Sequence, residues 1–449
     1  MTIDLIVVGS GSAAQSVAYP CRHAGWSVMV IDSRPLGGTC SQRGCDPKKV
    51  LVGISELADW SRRMQGKGFS APAATMDWSD MMRFKETFTE NVPSSTEAEL
   101  RDAGIVAVRG RAQFAGPRSL RVDGETHDAR HVVIAAGARH APLGIPGEEE
   151  LLTSTGFLEL EALPRRVAFV GGGYIAFEFA HVAARGGAAV QVIHRGDRPL
   201  EGFDADLVDD LVTTTRDLGV DVQLRTTVVA VEKRGDEFIV RTRCGDEHGE
   251  IVCDLVVHAA GRVPEIDDLA LEAADVERVD GGGIAVNEYL QSVSNPAVYA
   301  AGDAVASGGL PLTPVADMQG GIVAANLIDG NTRTPNYEGI PSMVFTTPSL
   351  ARVGLDETTA RARGLRFTVR REDTSSWYSS RRVALDHTGY KTLVEDGTQR
   401  ILGAHVLGPN AEEIINIFGL AIRKGLSAGD LKDMIYAYPT GGSDISSMV

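Results

Sequence analysis

Two cysteines five positions apart, Cys40 and Cys45, are the residues whose types and spacing most directly suggest chemistry in this chain. They lie in the segment GGTCSQRGCDPKK, residues 37–49. Four intervening residues are too many for the spacing of a zinc knuckle, and no second cysteine or histidine pair lies nearby. Pro47 suits the first turn of a helix, whose N-terminus favours a thiolate at a neighbouring cysteine. The pair is a candidate redox dithiol that could close a small-loop disulfide.

A first nucleotide-binding unit precedes the cysteines. The apolar residues 5–8 predict a strand of a parallel sheet that is covered on both faces. A glycine-rich turn, residues 9–14, opens a helix, and a second strand at residues 28–31 ends at Asp32. The glycines let a diphosphate approach the helix N-terminus, and Asp32 can accept a hydrogen bond from a ribose hydroxyl.

The same pattern recurs later in the chain. Residues 166–170 predict a strand, residues 171–178 the glycine-rich turn and helix start, and residues 189–193 the second strand. Two dinucleotide-binding units in one chain imply two nucleotides, or one nucleotide and one flavin. The repeat therefore predicts an enzyme that relays electrons.

The residues after the second strand of this repeat bear on the choice of coenzyme. Enzymes that use NAD usually carry an acid at this strand end. Here His194 and Arg195 follow the strand, Arg198 lies close by, and Asp197 is the one acid among them. Arginine suits a 2′-phosphate, so the loop predicts NADPH over NADH, although solvent-exposed loop charge also explains the arginines.

Composition restricts the classes of function. The chain has 449 residues, enough for several domains, and a net charge of −16 that argues against nucleic acid or an anionic membrane as partner. No apolar stretch reaches the roughly 18 residues of a membrane span, and the first residues lack the pattern of a signal peptide. Five cysteines, three of them outside any motif, fit a reducing compartment. We expect a cytoplasmic enzyme.

Segment 37–49 resembles the active-site segment of the flavin-dependent pyridine-nucleotide disulfide oxidoreductases, the family of glutathione reductase, dihydrolipoamide dehydrogenase and mercuric reductase. Its Pro-Lys-Lys ending is most similar to the glutathione reductase branch, and the resemblance covers essentially the whole chain. It implies an α/β fold with two Rossmann-like dinucleotide-binding domains plus a C-terminal α+β dimerisation domain. The implied domains are the first part of the FAD-binding domain at 1–145, the NAD(P)H-binding domain at 146–266, the second part of the FAD-binding and central domain at 267–336, and the dimerisation domain at 337–449.

The resemblance also implies roles for single residues. Cys45 matches the charge-transfer thiol against the flavin ring, and Cys40 the more exposed interchange thiol that attacks the substrate. Lys49 matches the lysine near the flavin ring, and Glu178 its ion-pair partner; either could instead be an ordinary surface charge. No metal site is expected. The residues implied in FAD binding are Gly9, Gly11, Ser12, Ala13, Asp32, Gly38, Thr39, Lys49, Ala112, Ala136, Gly137 and Asp303. Those implied in NADPH binding are Gly171, Gly173, Tyr174, Ile175, His194, Arg195, Arg198, Ala260 and Gly261.

The C-terminal motif departs from the family pattern. The disulfide reductases carry His-Pro-Thr and a glutamate three residues later, an acid/base pair that acts across the dimer interface. Here Tyr438 takes the histidine position and Ser443 the glutamate position, with Asp444 next. Unperturbed tyrosine and histidine differ by about 3.5 pKa units, roughly 5 kcal/mol in proton affinity. Tyr438 is still a candidate catalytic residue as a hydrogen-bond donor, but ordinary glutathione reductase activity is not expected.

Several functions remain open. The leading one is a homodimeric FAD enzyme that passes electrons from NADPH through Cys40 and Cys45 to a disulfide or another small thiol-reactive acceptor. The alternatives are direct reduction of quinones or metal ions by the flavin, and a non-catalytic flavoprotein redox sensor. Mercuric reduction is disfavoured because a C-terminal cysteine pair is missing. Arginines that could bind an anionic substrate are Arg62, Arg63, Arg381 and Arg382.

Overall fold

The computed structural model describes residues 2–70 and 72–449, so that Met1, with which the predicted first domain begins, and Ala71 lie outside it. The chain forms two compact units. Unit 1 comprises residues 2–48, 84–141 and 261–337, and unit 2 comprises residues 49–83, 142–260 and 338–449. The helices Cys45–Arg63 and Trp78–Thr89 continue from one unit into the other.

Unit 1 is built around a seven-stranded sheet. Its central strand Ile3–Val8 pairs in parallel with Val28–Asp32 and Glu125–Ile134, and its last four residues are buried. In order across the sheet the strands are Val106–Arg109, Val28–Asp32, Ile3–Val8, Glu125–Ile134, Ser119–Val122 and Ala112–Gly116, with Val298–Ala300 also beside Glu125–Ile134. Continuous apolar strands fit this arrangement because apolar clusters cover both faces.

Helices and short elements complete unit 1. The helices Ser12–His23 and Thr313–Asp329 pack on one face of the sheet through Val17 and Val323. The other helices are Gly38–Arg43 and Val92–Asp102, and the single 3₁₀ turns are Leu271–Ala274 and Gly302–Ala304. Two-stranded pairings join Ala138–His140 to Arg262–Pro264 and Ile284–Ala285 to Val305–Ala306.

Unit 2 contains a five-stranded parallel sheet and a five-stranded antiparallel sheet. The parallel sheet runs in the order Asp221–Gln223, Ala189–Ile193, Arg166–Val170, Leu255–His258 and Leu152–Thr153. Its helices are Ser154–Phe157, Tyr174–Arg185 and Ala205–Asp217. A three-stranded antiparallel sheet, Thr226–Arg234, Glu237–Cys244 and Glu247–Cys253, lies within the same part of the sequence, and Glu148–Glu150 forms a 3₁₀ turn.

The antiparallel sheet of unit 2 belongs to the C-terminal part of the chain. Its strand order is Ser342–Val344, Ser349–Gly354, Ile401–Gly408, Gly389–Glu395 and Phe367–Asp373. Its helices are Glu357–Ala362, Tyr378–Arg382, Ala411–Lys424, Ala428–Asp433 and Ile445–Met448, with Gly441–Asp444 as a 3₁₀ turn. Helix Ala411–Lys424 packs its apolar face on the sheet through Ile415 and Phe418.

The predicted fold class is confirmed: the chain is α/β with two dinucleotide-binding sheets and a C-terminal α+β region. Both predicted strand–turn–helix–strand repeats are present, and the implied α+β region in the last quarter contains antiparallel strand pairs. The exact division into domains at residues 145, 266 and 336 stays a prediction.

Candidate active site

The two cysteines of the predicted redox pair are brought together in unit 1, and both are free thiols. Cys40 lies in the short helix Gly38–Arg43, and Cys45 is the first residue of the next helix. The hydroxyl Oγ1 of Thr313 lies 3.2 Å from the Sγ of Cys40 and 3.7 Å from the Sγ of Cys45. Thr313 starts the helix Thr313–Asp329, so a residue distant in sequence joins the pair.

The environment separates the two thiols in acidity. The Cys40 thiol donates a hydrogen bond to Cys45, which lowers the pKa of Cys45 to about 6 and raises the pKa of Cys40. The Thr313 hydroxyl and the positive charge of Lys48 also lower the pKa of Cys45. Cys45 is therefore the more acidic thiol of the pair and the one that favours the thiolate form.

Which thiol is the more exposed beside a bound flavin stays a prediction. In the single chain Cys45 is exposed and Cys40 is half-buried. Cys40 is closely packed by its neighbours. A side chain at Gly44 would lie 3.1 Å from the Cα of Cys40, so the chain doubles back tightly there, and Thr313 covers the sulfur.

Lys48 is a charged neighbour of the redox pair that the sequence analysis did not single out, because the resemblance was read onto Lys49. Lys48 is the cation that acts on the Cys45 sulfur. Lys49 is directed elsewhere: its ammonium lies 3.8 Å from a carboxylate oxygen of Glu56 and 4.3 Å from the ring centre of Phe345. Neighbouring residues of a helix point about 100° apart, so Lys48 and Lys49 face different surroundings. The position of Pro47 in the sequence does not distinguish between them.

Glu178 is fully buried in helix Tyr174–Arg185, and its carboxylate accepts a hydrogen bond of 2.8 Å from the backbone N–H of Phe345. Phe345 thus contacts both predicted partners: its N–H binds Glu178 and its ring faces the Lys49 ammonium. The ion pair between Lys49 and Glu178 that the resemblance implied stays a prediction.

The glycine-rich turn of unit 1 lies directly against the redox segment. A Cβ at Gly9 would lie 2.2 Å from the carbonyl oxygen of Ala135, and Gly9 has a φ of 109°, so only glycine fits. Gly38 also has a positive φ, and a Cβ there would lie 2.4 Å from the Cα of Gly11. The backbone before Thr39 and Cys40 therefore touches the backbone that starts helix Ser12–His23.

The N-terminus of helix Ser12–His23 fits an anionic diphosphate. Gly11 precedes the helix, and, as far as the described residues go, no side chain caps it and no acid lies in the first turn, which contains Ser12 and Ala13. Such a helix end offers backbone N–H groups and a positive dipole. The turn thus fits the cofactor that the resemblance implies.

Two carboxylates flank this turn in unit 1. Asp32 accepts hydrogen bonds from the N–H and hydroxyl of Ser10, at 2.9 and 2.6 Å, and from the N–H of Arg34 at 2.9 Å. Since a carboxylate has about four acceptor sites, capacity remains for a ribose hydroxyl. Asp303 lies 3.6 Å from the guanidinium of Arg262, and burial raises the pKa of this carboxyl.

The remaining residues implied in FAD binding lie around the same sheet. Ala136 and Gly137 follow strand Glu125–Ile134, and Gly137 has a φ of 73°. Ala112 is buried at the start of strand Ala112–Gly116, where its methyl group is part of an apolar cluster. Its position supports packing, and its role in FAD binding stays a prediction.

The second glycine-rich turn, in unit 2, has the same construction. Gly171 has a φ of 126°, and a Cβ there would lie 2.2 Å from the carbonyl oxygen of Ala259. Gly173 precedes helix Tyr174–Arg185, whose first turn includes Ile175 and, among the residues described, carries no acid and no side-chain cap. Tyr174 is half exposed, and Ala260 follows strand Leu255–His258. Gly261 belongs to unit 1 and has a φ of 110°.

The loop after strand Ala189–Ile193 is held by His194. A side chain at Gly172 would lie 2.5 Å from its ring, and its Nε2 lies 3.0 Å from the carbonyl oxygen of Arg198. An acid that the sequence analysis did not single out lies nearby, because a carboxylate oxygen of Glu201 is 4.0 Å from the same Nε2. Arg195 is exposed in this loop.

Tyr438 lies in an exposed segment of unit 2. Its side chain is 82% exposed, as is 95% of Ile435 and 50% of Met434. Ser443 bonds only locally, since its N–H and hydroxyl contact Thr440, although burial raises the pKa of Asp444 next to it.

The candidate substrate arginines fall into two groups. Arg62 and Arg63 are both paired with Asp59, a buried acid, at 3.1 and 2.6 Å, and Arg185 pairs with the same carboxylate. Arg382 instead lines a cavity of about 350 Å³ together with Tyr378, Glu413 and Thr440. Arg62 and Arg63 therefore hold an ion-pair cluster within the chain, whereas Arg382 lines a cavity.

Residues 2–70 and 72–449 lack both a membrane-spanning helix and a cluster of metal ligands. They contain no helix whose length and apolar character would let it cross a membrane. They also contain no group of three or more histidine, cysteine or acidic side chains positioned to hold a metal ion.

Comparison with known proteins covers the whole chain. The family model described as pyridine nucleotide-disulphide oxidoreductase matches residues 3–320, and that of its dimerisation domain matches residues 340–449. Among similar proteins is the glutathione reductase of Burkholderia cepacia, 33% identical over 97% of this chain and 96% of the relative. The mercuric reductase of Staphylococcus aureus is 31% identical over 97% of this chain and 80% of that protein.

A solved structure is similar over the full length. It is the Cu(II) complex of the HOCl-induced flavoprotein disulfide reductase RclA from Escherichia coli, with a TM-score of 0.89 and 27% identity, covering 100% of this chain and 99% of that one. The dimerisation-domain match supports a homodimer.

Proposed function

Because this chain belongs to the pyridine nucleotide-disulphide oxidoreductase family, we propose that it carries two electrons from NADPH through FAD and the Cys40–Cys45 pair to a disulfide or another small thiol-reactive acceptor. The observation that carries the proposal is the pair itself: two thiols that share the Thr313 hydroxyl and differ strongly in acidity. Such a pair suits stepwise thiol–disulfide exchange, in which one sulfur attacks and the other resolves.

Residues of unit 1 would hold FAD. Gly9 and Gly11 would accommodate its diphosphate at the start of helix Ser12–His23, and Asp32 its ribose. Asp303 would contact a polar part of FAD other than that ribose. The chemistry that FAD supplies when bound is the transfer of the two hydride electrons to the cysteine pair.

The cysteines have separate tasks in this proposal. Cys45 is the thiolate, stabilised by Cys40, Thr313 and Lys48. Cys40 attacks a sulfur of the acceptor, forms a mixed disulfide and releases the first thiol. Cys45 then attacks Cys40, which forms the Cys40–Cys45 disulfide and releases the second thiol. Glu178 and Lys49 would order the surrounding helices through Phe345.

NADPH is the proposed electron donor. The arginines Arg195 and Arg198 follow the strand end at which a 2′-phosphate binds in such folds. Glutathione reductases among the relatives support the same choice. His194 would position the loop rather than contact the phosphate, since its ring packs on Gly172 and binds the carbonyl of Arg198.

We further propose a cytoplasmic homodimer. The exposed segment with Met434, Ile435 and Tyr438 would be covered by a second copy, which is consistent with the dimerisation-domain match. An anionic substrate is proposed on the strength of Arg382, which faces a cavity next to the segment that carries Tyr438.

Reduction of a thiol-binding metal ion is a second candidate. It is supported by the mercuric reductase relative and by the Cu(II) complex of the similar RclA structure. A metal ion can take electrons from a thiol pair without needing a proton, which suits a chain that has a tyrosine, a poor base at neutral pH, where the family has its histidine.

The test is anaerobic titration of the purified flavoprotein with NADPH. A long-wavelength band after two electrons shows a thiolate beside oxidised flavin, as proposed for Cys45. Simple bleaching of the flavin would remove the thiols from the main electron path and favour direct reduction of quinones. Cys40→Ser should abolish disulfide turnover, whereas Cys244→Ser, at an exposed cysteine outside the pair, should leave it unchanged.

A further inference from the structure

We propose that Asp46 is the proton-transfer residue of Cys40: its carboxylate accepts the thiol proton as Cys40 attacks the acceptor and delivers it to the thiolate that leaves. This inference rests on the proposed function and adds a catalytic residue to it.

The geometry around the Cys40 sulfur carries the inference. Asp46 is the second residue of helix Cys45–Arg63, and its Oδ1 lies 4.0 Å from the Sγ of Cys40, within reach of a sulfur donor. On another side of the same sulfur, the Thr313 hydroxyl donates to it across 3.2 Å. Thr313 donates to the sulfur from one side, and the Asp46 carboxylate lies within reach as the acceptor for the proton that Cys40 shares with Cys45 at rest and gives up when it attacks. Proton-transfer contacts are often long before substrate binds.

The chain needs such a residue because its C-terminal motif offers no base. By the resemblance, Tyr438 takes the position of the family histidine, and a phenol is a poor base at neutral pH. Asp46 is exposed, so it can exchange its proton with water. Its negative charge acts on the thiols of Cys40 and Cys45, and the Lys48 ammonium acts on Cys45 with the opposite sign.

The step balances as follows. The sulfur of Cys40 forms a bond to one sulfur of the disulfide acceptor, the acceptor S–S bond breaks, and its electron pair leaves with the second sulfur. The Cys40 proton passes through the Asp46 carboxylate to this leaving sulfur, which departs as a neutral thiol. Cys45 then attacks the Cys40 sulfur, which forms the Cys40–Cys45 disulfide and breaks the bond to the remaining half of the acceptor. That half leaves with the electron pair and takes a proton from Asp46, which water has protonated again. The two electrons come from the reduced cysteine pair.

A purely electrostatic role of Asp46 predicts the opposite outcome. The negative charge of Asp46 raises the pKa of Cys40 and of Cys45. If that charge were its only effect, Asp46→Asn would increase the thiolate fraction and speed up attack on every disulfide. A proton-transfer role predicts slower attack, and only where the leaving sulfur needs a proton.

The experiment measures the oxidation of NADPH-reduced holoenzyme by stopped flow with two probes. The first is bis(hydroxyethyl) disulfide, whose leaving thiol is weakly acidic. The second is an aromatic nitrobenzoate disulfide, whose thiolate leaves without a proton. We expect Asp46→Asn to slow oxidation by the first probe about tenfold to a hundredfold and by the second less than threefold, with Asp46→Glu restoring most of the rate. Asp80→Asn, an exposed first-turn acid of another helix, is the matched control.

The outcomes separate the inference from the function on which it rests. If the wild-type protein is reduced by NADPH but oxidised by neither disulfide, the proposed function fails. If the wild type turns over both probes and Asp46→Asn slows neither, slows both equally, or speeds them up, the function stands and the role of Asp46 is overturned. The rate of flavin reduction by NADPH in each variant shows whether the protein is folded and loaded.

Discussion

The Thr313 hydroxyl donates a hydrogen bond to the Sγ of Cys40 across 3.2 Å. The same oxygen is 3.7 Å from the Sγ of Cys45, so one side chain from a distant helix contacts both sulfurs. Its effect on both is to lower the pKa. Thr313 therefore keeps the pair reactive, and its removal should be visible in thiol chemistry.

Thr313→Val should raise the pKa of Cys45 above about 6. One hydrogen bond contributes about 0.5–1.5 kcal/mol, which corresponds to roughly half to one pKa unit. The alkylation rate of the reduced protein by iodoacetamide at about pH 6 should then fall about twofold to sixfold. Thr313→Ser, which keeps the hydroxyl, should retain the wild-type rate. Equal rates for the valine and serine variants would contradict the role given to this hydroxyl.

Tyr438→Phe should separate catalysis from folding. The substitution removes one hydroxyl and keeps the ring that a second copy would cover, so the midpoint of thermal unfolding should change little. If the phenol donates a hydrogen bond during oxidation of the cysteine pair, its loss should slow that step by about twofold to tenfold. Stopped-flow oxidation of the reduced enzyme by a dialkyl disulfide measures this. An unchanged rate would remove Tyr438 from the catalytic residues.

The apolar strands and one amphipathic helix were predictable because each segment carries its own signal. Helix Ala411–Lys424 can be read from the sequence, since its apolar face repeats with helical spacing and Gly425 ends it with a φ of 64°. Residues 5–8 of strand Ile3–Val8 are continuously apolar because both faces of the sheet are covered.

What could not be predicted depends on tertiary contacts. The spacing of the redox segment does not reveal which of Lys48 and Lys49 acts on Cys45, because the answer depends on where Phe345 and Glu56 lie. The contact of both thiols with Thr313 could not be predicted either, because Thr313 is distant in sequence. The three-stranded sheet within residues 226–253 was not predicted, since its half-exposed strands give only a weak alternating pattern.

Coenzyme choice should respond to Arg195. Arg195→Ala should raise the KM for NADPH about tenfold or more, because a charge-assisted hydrogen bond to a phosphate is worth about 1.5–3 kcal/mol. The KM for NADH, which lacks the 2′-phosphate, should stay within about twofold. Arg165→Ala, an exposed arginine before the opposite end of strand Arg166–Val170, is the control. Equal losses with both coenzymes would show that Arg195 does not read the phosphate.

Glu201 should oppose the same phosphate. Its carboxylate lies 4.0 Å from the Nε2 of His194 and is 75% exposed, so it places a negative charge beside the proposed phosphate site. Glu201→Gln should raise kcat/KM for NADPH about twofold to fivefold at low ionic strength, since exposed charges contribute up to about 1 kcal/mol. Added salt should remove the difference. A change with NADH of the same size would contradict this account.

The buried His181 should make stability depend on pH. It is fully buried in unit 2, its Nε2 lies 3.0 Å from the Oγ1 of Thr215, and its Nδ1 accepts a hydrogen bond from the backbone N–H of Thr347 at 3.3 Å. The Thr215 hydroxyl donates to the carbonyl of Leu211, so the Nε2–H donates to Thr215 and the ring is neutral. Burial and the neighbouring Arg185 guanidinium lower the pKa of His181.

A lowered pKa means that the folded protein binds fewer protons here than the unfolded chain does. Stability is therefore complete above the unfolded pKa of about 6.5 and is lost as the pH falls below it, by at most about 1.4 kcal/mol per pH unit. We expect the urea midpoint of the wild-type protein to fall between about pH 7.5 and pH 5.5. His181→Gln should be less stable at the higher pH but should lose less between the two, because the group that titrates is gone. His405, whose pKa is also lowered by burial, contributes equally to both proteins, so an identical loss in the two would show that His181 does not titrate in this range.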